Sequence, residues 1–176
     1  MKRRALPLLA LASLAVAAAL LAGCASWRSN DASWTTGRIS VRVDAAAAHP
    51  ARSVSAGFEL RGNGEYGELR LDTPMGLRIA SARWSPGSAQ LTGSDGEHHY
   101  DSLDALARDV LGEALPLAAL PDWVAGRPWP AAAWRKTDDG FEQLGWFVVL
   151  TRRGQGWIEA RRDTAPKVVM RMILDH

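Results

Sequence analysis

Apolar and polar residues alternate with period two along much of this chain after residue 34. Ile39, Val41 and Val43 alternate with Arg38, Ser40 and Arg42. Val54, Ala56, Phe58 and Leu60 alternate with Ser55, Gly57 and Glu59, and Leu69 and Leu71 with Glu68, Arg70 and Asp72. Such alternation predicts strands with one apolar and one wet face. The separators at 45–50, 61–64 and 73–76 are short, which favours antiparallel hairpins over crossover connections. Further strands are expected over residues 77–84, 89–92 and 97–100. Late in the chain they are expected over 141–151, 157–162 and 167–174.

Between these two strand-rich regions the period changes. Leu103, Leu106, Val110 and Leu111 recur at i, i+3, i+7 and i+8, which predicts an amphipathic helix. Ser102 is placed to cap it and Gly112 to stop it. A second helical piece is expected over 117–124, apolar at Leu117, Leu120, Trp123 and Val124 and ended by Gly126 and Pro128. Residues 127–140, rich in Trp, Pro and Ala, show no period and end in an Asp-Asp-Gly turn signal at 138–140. The expected fold is mainly β (α+β): a curled antiparallel sheet or half-open barrel with a helical plug. A sheet of this size must cover its apolar face by curling or with helices. The pattern alone leaves open whether the enclosed space is filled core or a ligand cavity.

Composition changes this picture at one end. The chain has 176 residues, a formal charge of +2 and a single cysteine. One cysteine excludes an intramolecular disulfide framework and a multi-thiolate metal site. Lys2, Arg3 and Arg4 precede an uncharged run of Ala, Leu and Val over residues 5–22, the pattern of an export signal. That run ends in Leu21-Ala22-Gly23-Cys24, which resembles the bacterial lipobox. The resemblance implies a signal peptide over 1–23, cleaved before a lipid-modified Cys24. A tether would then cover 24–33 and a globular domain 34–176. Two or more acyl chains on Cys24 would give stable membrane attachment. Ala25 stands where an Asp favours inner-membrane retention, so the periplasmic face of the outer membrane is the expected location. Cleavage removes three positive charges and no negative ones, turning +2 into −1. No general case for nucleic-acid binding survives.

Several residue groups invite a chemical reading. Gly62-Asn-Gly-Glu-Tyr-Gly67 fits Gly-x-Gly-x-x-Gly, but a strand pattern follows it where a dinucleotide site needs a helix. It reads better as a hairpin loop using positive φ at Asn63-Gly64. His98 and His99 adjoin Asp101 and Ser102, yet neighbouring strand residues point to opposite faces and do not converge on a metal. Asp175-His176 lies at a chain end, a poor place to hold reacting groups. No catalytic residue, metal ligand or cofactor is expected. Thr73-Pro-Met-Gly76 is different. Pro at the second position and Gly at the fourth suit a type I turn, which places an apolar Met75 at a turn tip where polar residues are usual.

The chain resembles the LolB family, outer-membrane receptors for lipoproteins in Gram-negative bacteria. The resemblance rests on Gly37-Arg38, Phe58, Leu69-Arg-Leu-Asp-Thr-Pro-Met-Gly76, Tyr100 before an Asp-rich helix start, Leu115-Pro-Leu117 with Leu120 and Trp123-Val124, Gly126-Arg-Pro128, and Trp146-Phe-Val148. It implies a half-open barrel whose mouth is plugged by helices, with no enzymatic activity. It further implies a monomer that takes client lipoproteins from the periplasmic carrier LolA. The clients' acyl chains would lie in an apolar cavity before insertion into outer-membrane lipid. Pro74, Met75 and Gly76 match the family's membrane-insertion loop, with Met75 at its exposed Leu. The candidate cavity-lining residues are Val54, Phe58, Leu69, Leu71 and Ile79 on strands, and Leu106, Val110, Leu120 and Trp123 on helices. Two other classes share the anchor and the β content: a structural or assembly lipoprotein without a ligand cavity, and an anchored hydrolase that would need His99, Asp101 and Ser102 to converge.

Overall fold

The computed structural model describes residues 33–45, 50–112 and 115–175. The signal segment 1–23, Cys24 and nearly all of the tether lie outside the described residues, as does His176.

Eleven strands form one antiparallel sheet: β1 (Thr35–Val43), β2 (Arg52–Gly62), β3 (Gly67–Asp72), β4 (Arg78–Ser85), β5 (Ser88–Gly93), β6 (Gly96–Tyr100), β7 (Trp134–Lys136), β8 (Gly140–Gln143), β9 (Trp146–Val149), β10 (Trp157–Arg162) and β11 (Val168–Leu174). Their spatial order is β6-β5-β4-β3-β2-β1-β11-β10-β9-β8-β7. Two meanders therefore meet where the first strand pairs with the last, from Gly37 opposite Leu174 to Val43 opposite Val168. The order is open, with β6 and β7 as edges. The helical residues connect those two edges, so the connection returns across the curled sheet and covers its inner face.

Alternation puts the expected side chains inward. Val41, Val43, Phe58, Leu60, Leu69 and Trp84 are buried from one meander, and Phe141, Trp146, Val148, Ile158, Met170 and Met172 from the other. Ala82, Ala89 and Ala160 sit among them with almost no exposure, which lets opposing elements approach closely. Helix α1 (Leu103–Leu111) starts at Ser102, whose Oγ accepts from Ala105 N at 3.1 Å. It ends at Gly112, left-handed at φ 73°, whose N–H donates to Arg108 O. Leu106 and Ala107 bury its inner stripe against β5 and β6. The second helical piece is a 3₁₀ turn, Leu117–Ala119, running into α2 (Leu120–Val124). Leu117, Ala119, Leu120, Trp123 and Val124 are all buried.

Three local expectations are corrected. Residues 141–151 are not one strand. Leu144 and Gly145 both take positive φ, 55° and 76°, and fold β8 back onto β9 with Gln143 opposite Trp146. This is a two-residue primed turn without the usual Asn or Asp, so its signal was hidden in an apolar run. Within the stretch 127–140, residues 134–136 form edge strand β7. At the β2–β3 hairpin, positive φ belongs to Gly62 at 102°, not to Asn63-Gly64. Asn63 instead closes the loop through its side chain, Oδ1 accepting from Glu65 N and Tyr66 N at 2.8 and 2.9 Å. Gly64 is needed for space, because a Cβ there would overlap the Trp129 indole.

Candidate acyl-binding cavity and insertion loop

The two meanders and their helical cover border a cavity of about 620 Å³ that is open to solvent on one side. Its apolar wall comes from Trp84 on β4, Leu103 on α1, Leu115 before the 3₁₀ turn, Trp129, Leu144 at the primed turn and Trp146 on β9. Glu65, Asp104 and Arg162 are the charged groups on its lining. This is an aromatic slot between non-adjacent elements, edged by polar groups.

Gln143 holds the cover in place. It is buried on the inner face of β8. Its Oε1 accepts from Trp123 Nε1 and from Trp129 N, both at 2.9 Å. Its Nε2 donates to Trp129 O at 2.7 Å and to Ala132 O at 2.8 Å. Two acceptances and two donations use the full capacity of the amide. Trp123 also meets Phe141 edge-on at 6.4 Å and Trp146 at 6.1 Å. Sequence reasoning missed Gln143; the available signal was a lone amide in an inward register set by Phe141. Trp84 is oriented by its own bond, Nε1 donating to Asn63 O at 2.9 Å.

A second cavity of about 310 Å³ lies under the other end of α1, lined by Ile79, Ala80, Leu91, His98, Tyr100 and Val110 among others. Tyr100 Oη donates to Asp109 Oδ2 at 2.7 Å, joining β6 to the helix. That bond, with the negative charge of Asp109 close by, raises the Tyr100 hydroxyl above its ordinary pKa.

Of the nine proposed lining residues, Ile79 and Val110 line this second cavity. Phe58, Leu69, Leu106, Leu120 and Trp123 are packed in the buried core, and Leu71 is half-buried against it. Val54 is exposed on β2. The larger cavity is instead walled by aromatic residues and by the primed turn, which alternation does not single out.

The turn after β3 is closed by Gly76 N donating to Thr73 O at 2.9 Å and Leu77 N donating to Thr73 Oγ1 at 3.1 Å. Met75 at its tip is 91% exposed. His98 and His99 face opposite sides of β6, opposite Leu91 and Gln90. Each meets its own carboxylate, Asp95 at 3.3 Å and Glu97 at 3.1 Å. Among the described residues no cluster of His, Cys, Asp and Glu is placed to hold a metal.

The outer face carries one charge cluster that alternation did not reveal. Glu68 is buried on β3 and receives Arg61 Nη2 and Arg70 Nε, both at 2.7 Å. Burial alone would raise its carboxyl, but the bonds from Arg70 and Arg61 and the charge of Arg83 hold it below the usual carboxylate range. The Trp34 ring lies under Arg61 and Arg70 at 4.4 and 4.2 Å, so the residue entering β1 is clamped to this cluster.

The chain is thus an open, curled antiparallel sheet with a helical cover, a pocket walled by tryptophans and an apolar residue presented on a turn. The family model for the outer membrane lipoprotein LolB matches residues 33–165. A protein named outer-membrane lipoprotein LolB from Bordetella petrii is 32% identical over 172 residues, covering 88% of this chain and 86% of its own. Relatives of the same name from Ralstonia nicotianae and Chromobacterium violaceum are 34% and 31% identical; each covers 77% of this chain, and 73% and 78% of their own lengths are covered. The chain belongs to the LolB family of outer-membrane lipoproteins. No helix among the described residues is long and apolar enough to cross a membrane.

Proposed function

We propose that this chain is a receptor, held on the periplasmic face of the outer membrane by lipid on Cys24, that takes lipoproteins from LolA and inserts them into the membrane. The supporting observation is the aromatic cavity of about 620 Å³ beneath a helical cover that is pinned at one buried amide. Each CH₂ leaving water gains about 0.8 kcal/mol, so an acyl chain cannot pass through water between carrier and receptor without losing that stabilisation. Transfer therefore needs cavity mouths in direct contact. Without nucleotide hydrolysis, net direction requires the receptor's cavity to bind more favourably than the carrier's. Admission of a chain requires the cover to open, as binding-site lids do. The exposed Met75 then enters lipid, where its unbranched thioether side chain is soluble and adaptable.

The test is to purify the protein after expression alongside acylated lipoproteins and to identify bound species by mass spectrometry. Bound lipoprotein or acyl lipid is expected. Protein free of both, and unable to take up a palmitoylated peptide, refutes the receptor in favour of a structural envelope lipoprotein.

A further inference from the structure

Nine large apolar residues are exposed among the described residues, and five of them gather in one place: Met75 at 91%, Leu77 at 69%, Val110 at 45%, Ile79 at 43% and Val54 at 40%. All five sit around one end of β2–β4 and the adjoining part of α1. The other four, Tyr66, Trp134, Leu144 and Ile173, stand apart on different strands and turns. The β2–β3 register ends with Gly57 opposite Asp72; Val54 lies three residues back along β2, and Met75 three residues on, in the turn after β3. A register shift between Leu71 and Asp72 makes Ile79 an extra residue on β4, and bulges re-aim side chains in this way. Ile79 and Val110 also line the second cavity.

We propose that Val54, Leu77, Ile79 and Val110 join Met75 in a bilayer-docking edge, so that the second cavity opens against the membrane and serves as the port by which acyl chains leave. This rests on the receptor reading above and extends it from one inserted residue to a surface with a route behind it. The occupant of the edge is the bilayer, for a reason of chain length. β1 starts opposite Leu60, at the other end of β2, where Trp34 is clamped under Arg61 and Arg70. From Leu60 to Val54 is about 20 Å along a strand. The ten residues from Cys24 to Ser33 span up to roughly 33–36 Å when extended. The tether is therefore long enough for an anchor at Cys24 and the docking edge to meet one membrane plane. The charges nearby are mixed, Arg52 and Arg78 against Asp72, Asp95 and Asp109, so the contact is apolar and persists on zwitterionic lipid.

The experiment uses the lipidated protein in vesicles of phosphatidylethanolamine and phosphatidylglycerol containing spin-labelled lipid. An environment-sensitive fluorophore is placed at Met75→Cys, Leu77→Cys or Val110→Cys, with Tyr66→Cys at the opposite end of the strands as the reference. Quenching at 75, 77 and 110 at least threefold stronger than at 66 is expected. Deleting residues 27–32, which leaves a tether reaching only about 14 Å, should abolish it. Quenching confined to 75, or no stronger at 77 and 110 than at 66, overturns the docking edge. No acylated client is needed, so a failure here is separate from a failure of acyl uptake. For the exit route, Leu77→Asp, on the edge but outside both cavities, should slow delivery of a bound palmitoylated peptide to vesicles at least tenfold with uptake unchanged. Delivery at the unaltered rate overturns it.

Discussion

Gln143→Leu tests whether one buried amide holds the cavity cover. The substitution puts an apolar side chain of similar size on β8 and removes four hydrogen bonds. The four orphaned groups are not equivalent. Trp123 has no solvent exposure, so its indole N–H has no route to water and its loss costs about 1–3 kcal/mol. Trp129 and Ala132 are only half-buried, so their backbone groups recover water bonds and add about 1 kcal/mol together. The sum, about 2–4 kcal/mol, is a large part of the roughly 5–15 kcal/mol that holds a domain folded. It should lower the melting temperature by roughly 5–15 °C. Urea denaturation followed by tryptophan fluorescence reads the loss. Stopped-flow release of a palmitoylated probe should show faster dissociation, because Trp129 is both a cavity wall and a partner of Gln143. A variant within 0.5 kcal/mol of the parent that releases the probe at the parent's rate would refute the reasoning.

Three further predictions address other parts of the molecule. Met75→Glu should leave folding and acyl uptake intact and block delivery to vesicles, since a charged tip resists entry into lipid; normal delivery in a reconstituted transfer assay counts against the loop. Glu68→Gln should cost roughly 2 kcal/mol at neutral pH, the scale of hydrogen bonds to charged groups. Because the Glu68 carboxyl lies below its ordinary 4.5, the stabilisation is complete above that value and is lost as pH falls through the depressed folded pKa. The gap between parent and variant in urea midpoints should therefore close on acidification, and a gap independent of pH would exclude the charge as its cause. Leu144→Asn should raise stability by about 0.5–1 kcal/mol by relieving a left-handed leucine. It should also weaken probe binding, because Leu144 lines the larger cavity; a fall in the urea midpoint would contradict this.

How much of this was legible beforehand differs from element to element. Strands β1 to β6 and the cap at Ser102 follow from short-range pattern, because period two and capping chemistry are properties of neighbouring residues. The turn at Met75 is equally local. The Leu144–Gly145 turn was not legible, since its only Gly is preceded by a leucine that resembles strand continuation. β7 is three residues long and paired at an edge, with too little apolar surface to leave a signal. Trp84, Trp129 and Trp146 read as generic large apolar residues. Their joint wall depends on elements far apart in the chain meeting across the curled sheet.

The sequence by itself determined strands β1 to β6, β10 and β11 and the apolar face of the alternating ones, where the first helix begins and ends, and that an apolar residue stands on a turn. Its order of motifs and the lipobox-like Leu21–Cys24 pointed to the family. Only the tertiary structure decided which inward residues pack as core and which bound a cavity. Alternation states which side of a strand avoids water, but not what stands opposite. That is set by curvature, by the β1–β11 pairing and by where the helical cover is pinned. The same cause gathers Val54, Met75, Leu77, Ile79 and Val110, separated along the chain, at one end of the molecule.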